Sequence, residues 1–366
     1  MKAKTINLIL RHKFDLFLKS ITDPSVKELV KENTIITGGS IVSLLLNEQV
    51  SDFDLYFRNS ETALAVAKYY VAKLNENPPA KFKSDEKHTV SVYAMLEPAV
   101  EEGREASRIG GMVKGPLPAR VRIVVKSAGI ASGETQQKDY QYFEGIRDPA
   151  SEAASTEQYV DDALGRSPGE VTDDTEPEGR PANYEEAVER ADEVPADKID
   201  PKDKKEGKPK YRVLFVTSNA ITLSDDIQLI LRFQGDPADI HKNYDFVHCT
   251  NYWCSWDKKL TLRPEALEAI ITKELRYIGS KYPICSMIRT RKFITRGWTI
   301  NAGQFVKMAY QVSKLDLDDA NVLEDQLVGV DSAYFSQVIS ELRKKEEGAP
   351  GKLDGTYLMT LIDKIF

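Results

Sequence analysis

The stretch TGGSIVSLLLNEQVSDFDLYF, residues 37–57, decides how the fold of this chain is interpreted. It opens with a glycine pair and a serine, continues through an apolar run, and ends on two aspartates separated by Phe53. Side chains of a strand alternate between its faces, so Asp52 and Asp54 are predicted to share one face, about 7 Å apart. Phe53 and Leu55 then point into a core. Two carboxylates at this spacing repel each other, and a divalent cation between them removes the repulsion.

The glycine pair predicts a phosphate-binding turn. Gly38 and Gly39 follow the apolar run TII and precede a predicted helix, SIVSLLLN. A turn without side chains lets backbone N–H groups and the Ser40 hydroxyl approach a phosphate at a helix N-terminus. Because Mg²⁺ binds one or two protein carboxylates together with substrate phosphate oxygens, the turn and the aspartates form the parts that phosphoryl or nucleotidyl transfer needs.

The order of these residues resembles the signature of the polymerase-beta-like nucleotidyltransferase superfamily. Ile36 precedes Gly38–Ser40, and after eleven residues comes the Asp-apolar-Asp-apolar run 52–55. The resemblance covers residues 30–60 well and 210–250 loosely. It implies transfer of an NMP from a nucleoside triphosphate to an acceptor hydroxyl, with Mg²⁺ or Mn²⁺ on Asp52 and Asp54 and the β/γ phosphates on Gly38, Gly39 and Ser40. The alternative is a glycine-rich turn followed by a surface strand with two solvated aspartates.

The resemblance also implies a third carboxylate, on a neighbouring strand, that helps to hold the metal and activates the attacking hydroxyl. Asp226, at the start of the strand-like run DIQLILRF, is the candidate for this catalytic and metal-binding position. Asp226 is alternatively a turn residue beside Asp225. Gln228 occupies the strand centre if the register shifts, and Asp245, between two aromatic residues, is the second candidate acid.

The segment RTRKFITRGWTIN, residues 289–301, combines arginines with aromatic residues. Arginine binds phosphate in a bidentate manner and aromatic rings stack on bases, so Arg289 and Arg291 are candidates for nucleotide binding. The alternative is a basic surface that flanks a helix.

The segment HCTNYWCSW, residues 248–256, suggests a zinc site through His248, Cys249 and Cys254. No second ligand pair with finger-like spacing follows, which favours buried thiols among packed aromatic residues.

Composition predicts a soluble, cytoplasmic protein with no membrane span. Hydrophobic residues make up 41% and charged residues 29% of the 366 residues, and three cysteines suit a reducing compartment. Residues 151–206 hold 18 acidic and seven basic residues, a local charge of −11 that leaves +4 for the rest of a chain whose net charge is −7. This segment is poor in large apolar side chains and is predicted to be disordered.

The pattern as a whole predicts an α+β fold, with a nucleotidyltransferase-type mixed sheet flanked by helices and a helical C-terminal domain. The runs ARVRIVVKS and YRVLFVTSNAITL flank the acidic insertion, which is therefore expected at the tip of a hairpin. The predicted division is a first core part (1–130), an acidic, mostly disordered insertion (131–207), a second core part (208–260) and a helical domain (261–366).

Two other functions remain open at the level of sequence. One is a nucleotidyltransferase fold that binds a nucleotide, or assembles, without turnover; the other is an antitoxin-like module whose acidic segment docks a basic protein. For the enzyme, the expected acceptor is RNA or a tRNA 3′ end, a protein hydroxyl or a small molecule. The large low-complexity insertion resembles that of phage-encoded members of the superfamily.

Overall fold

The computed structural model describes residues 1–76, 88–99, 105–106, 111–112, 119–129, 210–327 and 355–365. The predicted acidic insertion (131–207) and the helix-like run SAYFSQVISELRKKEE (332–347) of the predicted helical domain lie outside the described residues. The α-helices are α1 Ala3–Ser20, α2 Pro24–Asn33, α3 Gly39–Leu46, α4 Ser60–Glu76, α5 Pro237–His241, α6 Pro264–Thr272, α7 Pro283–Thr295, α8 Ala302–Val312, α9 Ala320–Leu327 and α10 Gly355–Ile365. A 3-10 helix covers Val247–Cys249.

The strands are β1 Thr34–Thr37, β2 Phe53–Phe57, β3 His88–Glu97, β4 Glu105–Ala106, β5 Gly111–Met112, β6 Arg120–Gly129, β7 Val213–Val216, β8 Ala220–Leu223, β9 Ile227–Gln234, β10 Tyr252–Cys254 and β11 Lys259–Thr261. Seven of them form a sheet in the order β11-β10-β1-β2-β9-β8-β7. Within it, β2 and β9 are parallel and the other neighbours are antiparallel. The expected α+β fold with a mixed sheet is therefore confirmed.

One face of the sheet carries the main hydrophobic core. Ile36, Leu55 and Leu229 are fully buried there, in register with one another across three strands. Helices α1 and α4 cover this face, and Phe14 of α1 packs on Trp253 with ring centroids 5.2 Å apart. Side chains alternate between the two faces of a strand, so the residues on either side of these core residues point to the other face. That face bears Asp54.

The opposite face has a smaller apolar cluster that includes Ile35, Tyr56 and Ile230, covered by Ile240 of α5. Further along the chain, Trp298 and Met308 of the C-terminal helical region pack with Val42 of α3 in a third cluster. Helix α3 therefore links the sheet to the C-terminal helices, and the candidate site lies at its N-terminal end.

The expected hairpin around the insertion is wrong. Strand β6 pairs with β3, and β7 pairs with β8, because the predicted strand YRVLFVTSNAITL turns back on itself at residues 217–219. The strand-like run DIQLILRF pairs antiparallel with the strand before it, since β8 pairs with β9. The helical pattern of RPEALEAIITKELRYI is longer than the helix itself, because Lys273 takes a left-handed conformation that ends α6.

Candidate functional site

The Gly-Gly-Ser turn and the Asp-x-Asp strand meet at one point. Strands β1 and β2 pair antiparallel with Thr37 opposite Asp54, so the turn that follows β1 lies beside the first half of β2. Gly38 has φ 95°, and a Cβ atom at this position would be 2.9 Å from Asp54 Oδ2. Only glycine fits both the backbone angle and the space. The first turn of α3 therefore adjoins the Asp54 carboxylate.

Helix α3 begins at Gly39, where an added Cβ atom would meet nothing within 4 Å. The Gly38 N–H donates a hydrogen bond to the Cys249 carbonyl at 3.2 Å. The first N–H groups of any helix, by contrast, lack partners inside the helix. The Ser40 hydroxyl is buried and has no hydrogen-bond partner among the described residues. The helix start thus presents donors that have no acceptor among the described residues, as an anion site requires.

The Asp52 and Asp54 carboxylates are close enough to interact electrostatically, and neither is paired with a cation in the described ranges. Asp54 lies in β2 and Asp52 directly precedes the strand. The Asp54 side chain keeps partial contact with solvent, but burial raises its pKa well above the ordinary value and the Asp52 carboxylate raises it further. In the described ranges neither aspartate forms a salt bridge, and Asp52 accepts a hydrogen bond from the Ser51 hydroxyl at 3.1 Å.

Asp226 lies in the tight turn between β8 and β9, where Asp225 and Asp226 both have left-handed backbone angles (φ 62° and 54°). Its carbonyl accepts the Phe53 N–H at 2.8 Å, which joins the turn to the start of β2. Its carboxylate is 61% exposed and lies 3.8 Å from Lys13 Nζ. Partial burial raises the pKa of Asp226, Lys13 opposes this shift, and the Asp225 and Asp52 charges add to it.

The position beside Asp54 on the next strand belongs to Gln228, because β2 and β9 pair with Asp54 in register with Gln228. The described residues contain no group of three or more His, Cys, Asp or Glu side chains placed to hold a metal ion. The structure therefore brings Asp52 and Asp54 together, places Asp226 near them in a pair with Lys13, and puts an amide at the strand centre.

Asp245, the second candidate acid, is buried and accepts a hydrogen bond from Arg289 of α7 in a salt bridge. The Asp245–Arg289 pair lies near Asp54, because all three charges act on the Cys249 thiol. Burial raises the pKa of the Cys249 thiol, the Asp245 and Asp54 charges raise it further, and Arg289 lowers it. Arg291 is exposed on α7 and forms no salt bridge with the aspartates within the described residues. Of the two candidate arginines, Arg289 is the one placed at the site.

A histidine that the sequence interpretation passed over supports the turn. His241 of α5 is buried, and its Nε2 lies 2.9 Å from the Thr37 hydroxyl. Because this hydroxyl donates to the Asn251 carbonyl at 2.8 Å, His241 Nε2–H is assigned as the donor to Thr37. Burial lowers the pKa of His241 to about 4, and the Arg263 charge contributes. The ring is therefore neutral and fixes the end of β1.

The zinc candidates His248, Cys249 and Cys254 are spread over different surroundings. His248 is fully buried and stacks on Trp298 with ring centroids 4.4 Å apart, while Phe293 packs against its edge. Neither ring nitrogen has a hydrogen-bond partner in the described part of the chain. Cys254 lies on β10 opposite Ile35, in the apolar cluster of the second sheet face. These placements agree with the alternative to a zinc site, in which the side chains are packed in the core.

Two buried neutral histidines make stability depend on pH. Burial lowers the pKa of His241 and of His248 to about 4, below the ordinary value near 6.5. Between these values the unfolded chain binds protons that the folded chain does not, so stability is complete above pH 6.5 and falls as the pH is lowered. We expect each histidine to remove about 2 kcal/mol of unfolding free energy between pH 7 and pH 5, measured by urea denaturation.

His248→Leu separates this effect from general acid sensitivity, because the ring makes no hydrogen bond within the described residues. The variant should lose less stability than the wild type over the same pH interval. The matched control is His12→Gln, at an exposed position of α1, which should follow the wild-type curve. If the His248→Leu curve runs parallel to the wild-type curve, the assignment of a neutral His248 is wrong.

In the part of the chain that the structure describes, no helix has the length and apolar content needed to cross a bilayer. A sequence model of the family described as "Gabija anti-defense 2 family protein" matches residues 8–273, which include β1, α3, β2 and β9. Comparison with curated proteins and with solved structures gave no significant match.

Proposed function

The chain belongs to the Gabija anti-defense 2 family, and from this premise we propose that it counters that defence as a metal-dependent nucleotidyltransferase. The proposed reaction is attack by an acceptor hydroxyl on the α-phosphorus of a nucleoside triphosphate, with release of pyrophosphate. One observation carries the proposal: the Gly38 turn lies against Asp54, so that a helix N-terminus and a carboxylate pair share one small volume. The helix N-terminus attracts the negative charge of a triphosphate, and the carboxylate pair attracts the cation that the triphosphate carries.

The N-terminus of α3 is the proposed site for the β/γ phosphates. Gly39 leaves open space in front of the helix, and the positive end of the helix dipole favours an anion there. The buried Ser40 hydroxyl, which has no partner among the described residues, would donate to a phosphate oxygen. Gly38 lets the phosphates pass beside Asp54, because a side chain at this position would collide with the carboxylate.

Asp52 and Asp54 fit a hard divalent cation. They offer only oxygen ligands, neither is neutralised by a salt bridge in the described ranges, and the Asp52 charge helps to raise the pKa of Asp54. Mg²⁺ prefers such a set, with the remaining ligands supplied by substrate phosphates and water. When bound, the ion would neutralise charge on the phosphates and lower the pKa of the acceptor hydroxyl.

Arg289 and Asp226 have proposed roles at the edges of this volume. Arg289, held by Asp245, would add positive charge near the phosphates. Asp226 is proposed to act on the acceptor side, where its carboxylate would accept the hydroxyl proton after leaving Lys13. The proposed acceptors are an RNA or tRNA end, a protein hydroxyl or a small molecule, and a phage origin would suit an anti-defence role.

A second candidate function is a binding module without turnover, and one observation favours it. Gln228, an amide, lies in register with Asp54 where a third carboxylate would complete the site, while Asp226 is paired with Lys13. In that case the turn and the aspartates bind a metal–nucleotide complex, or a nucleotide-bearing partner, and counter the defence by binding alone.

A thermal-shift screen of the four NTPs, with Mg²⁺, with Mn²⁺ and with EDTA, tests the shared part of both candidates. At a ligand concentration of about 100 times Kd, binding adds about 2.7 kcal/mol of stability, which raises the Tm of a domain this large by several degrees. We expect this shift only with metal and NTP together. Absence of any shift at millimolar NTP would contradict both the enzyme and the silent nucleotide-binding module.

A further inference from the structure

A cleft of about 420 Å³ lies at the other end of the sheet from the Gly38 turn. It is lined by residues that include Lys31, Glu32, Arg58, Ser255, Trp256 and Lys258. Strand β2 has Asp54 near its start, and Arg58 directly follows its end. Four residues at about 3.3 Å each separate the two positions by about 13 Å. The cleft is therefore distinct from the carboxylate site.

Trp256 gives this cleft a flat aromatic surface. Its side chain is 39% exposed, whereas Trp253 and Trp298 are 0% and 4% exposed. The Arg58 guanidinium lies over the indole ring at 5.0 Å from its centroid, and a 2.8 Å salt bridge to Asp236 fixes it there. Aromatic rings and arginine planes of this kind stack on nucleic-acid bases.

The turn that carries Trp256 is held in place by the sheet. Ser255 N–H donates to the Thr34 carbonyl at 2.9 Å, and the Ser255 hydroxyl accepts the Thr34 N–H at 3.0 Å. The Asp257 carboxylate accepts the Lys259 N–H at 3.0 Å, and Lys258 has a left-handed backbone angle (φ 53°). A ligand therefore meets a surface that is already ordered, which lowers the entropy cost of binding.

The charges of the cleft favour a small ligand over a long polyanion. Lys31 pairs with Glu28 at 2.9 Å, Arg58 pairs with Asp236, and Glu32 adds a negative charge to the lining. Lys258 lines the cleft and forms no salt bridge within the described residues, so it is the cation available to a phosphate. We propose that the cleft binds a nucleotide, with its base on Trp256, its phosphate at Lys258, and Glu32 as an acceptor for base amino or sugar hydroxyl groups.

Tryptophan fluorescence tests this proposal, because Trp256 is the exposed one of the three tryptophans of the chain. AMP, adenosine and a single-stranded adenine tetranucleotide are titrated in EDTA, where the metal-dependent site does not bind. We expect saturable quenching by AMP. Lys258→Gln should weaken AMP binding about tenfold and leave adenosine unchanged, since one charge-assisted hydrogen bond is lost. Lys314→Gln, at another exposed lysine, is the matched control.

Trp256→Ala removes the optical signal, so its binding is measured by equilibrium dialysis with labelled AMP, where we expect a loss of about tenfold or more. The Asp52→Asn, Asp54→Asn double variant should bind AMP like the wild type, which keeps this result separate from nucleotidyl transfer. If the tetranucleotide binds more tightly than AMP, the ligand of the cleft is a nucleotide within a nucleic-acid strand. If it binds equally or more weakly, the ligand is a free nucleotide. Absence of saturable quenching by both, or full AMP affinity in Lys258→Gln, overturns the proposal.

Discussion

Replacing Asp52 and Asp54 together with asparagine is expected to abolish nucleotidyl transfer while the protein stays folded. The carboxylates are the proposed metal ligands, and an amide does not balance the charge of a divalent cation. We expect a loss of at least about a thousandfold, the size seen when a preorganised electrostatic contact is removed. The measurement is transfer of label from α-labelled NTP to acceptor fractions, together with loss of the defence in cells that carry it.

The same change should not lower the Tm. Burial and the Asp52 charge raise the pKa of Asp54, so its ionised form destabilises the fold and a neutral amide relieves that cost. The control is Asp15→Asn with Asp316→Asn, which removes two carboxylates from α1 and from the segment before α9. That control should keep full transfer. Wild-type transfer by the Asp52→Asn, Asp54→Asn variant would falsify the proposed enzyme.

The turn, helix and strand of the site follow from local patterns. The pair Gly38–Gly39 predicts a turn before a helix, and the alternation from Phe53 to Phe57 predicts a strand; α3 and β2 confirm both. The contact between Gly38 and Asp54 depends on the antiparallel pairing of β1 with β2. A strand–helix–strand order is typical of parallel neighbours, so the sequence alone did not predict this antiparallel contact.

Helix α1 shows a signal that was present in the sequence and was not used. Ile6, Leu10, Phe14 and Phe17 recur at helical spacing and are all buried. The charged residues between them interrupt the apolar run, so the segment shows its apolar face only when it is analysed at helical spacing. Helix α7 was also missed, because residues 289–301 were interpreted as a phosphate- and base-binding segment and not by their position in a helix.

The third carboxylate position could not be predicted, because it depends on a register that the sequence leaves open. Two left-handed residues, Asp225 and Asp226, form the β8–β9 turn, so β9 begins at Ile227 and Gln228 pairs with Asp54. A turn shifted by one residue would change which side chain faces the site. The buried His241 lies 204 residues after its partner Thr37, and the partly buried Arg289 lies 44 residues after its partner Asp245, so no local pattern joins either pair.

Asp226→Ala decides between the enzyme and the silent module, because the two proposals differ only in whether an acceptor hydroxyl is activated. If Asp226 accepts the hydroxyl proton, we expect single-turnover transfer to fall about a thousandfold, within the range of general-base contributions. Metal-dependent NTP affinity should stay within about twofold, because Asp52 and Asp54 remain. Stability should change little, since the carboxylate is 61% exposed.

Two further variants are needed to interpret the result of Asp226→Ala. Asp245→Ala leaves the partly buried Arg289 without its carboxylate and should cost about 3 kcal/mol of stability, measured by urea denaturation. Lys13→Met removes the charge that holds down the pKa of Asp226, so the acid limb of the pH–rate profile should move to higher pH. Wild-type turnover in Asp226→Ala would remove Asp226 from the mechanism. A wild-type protein that binds metal and NTP, labels no acceptor and still blocks the defence would establish binding without turnover. Gln228 would then be the amide beside the nucleotide.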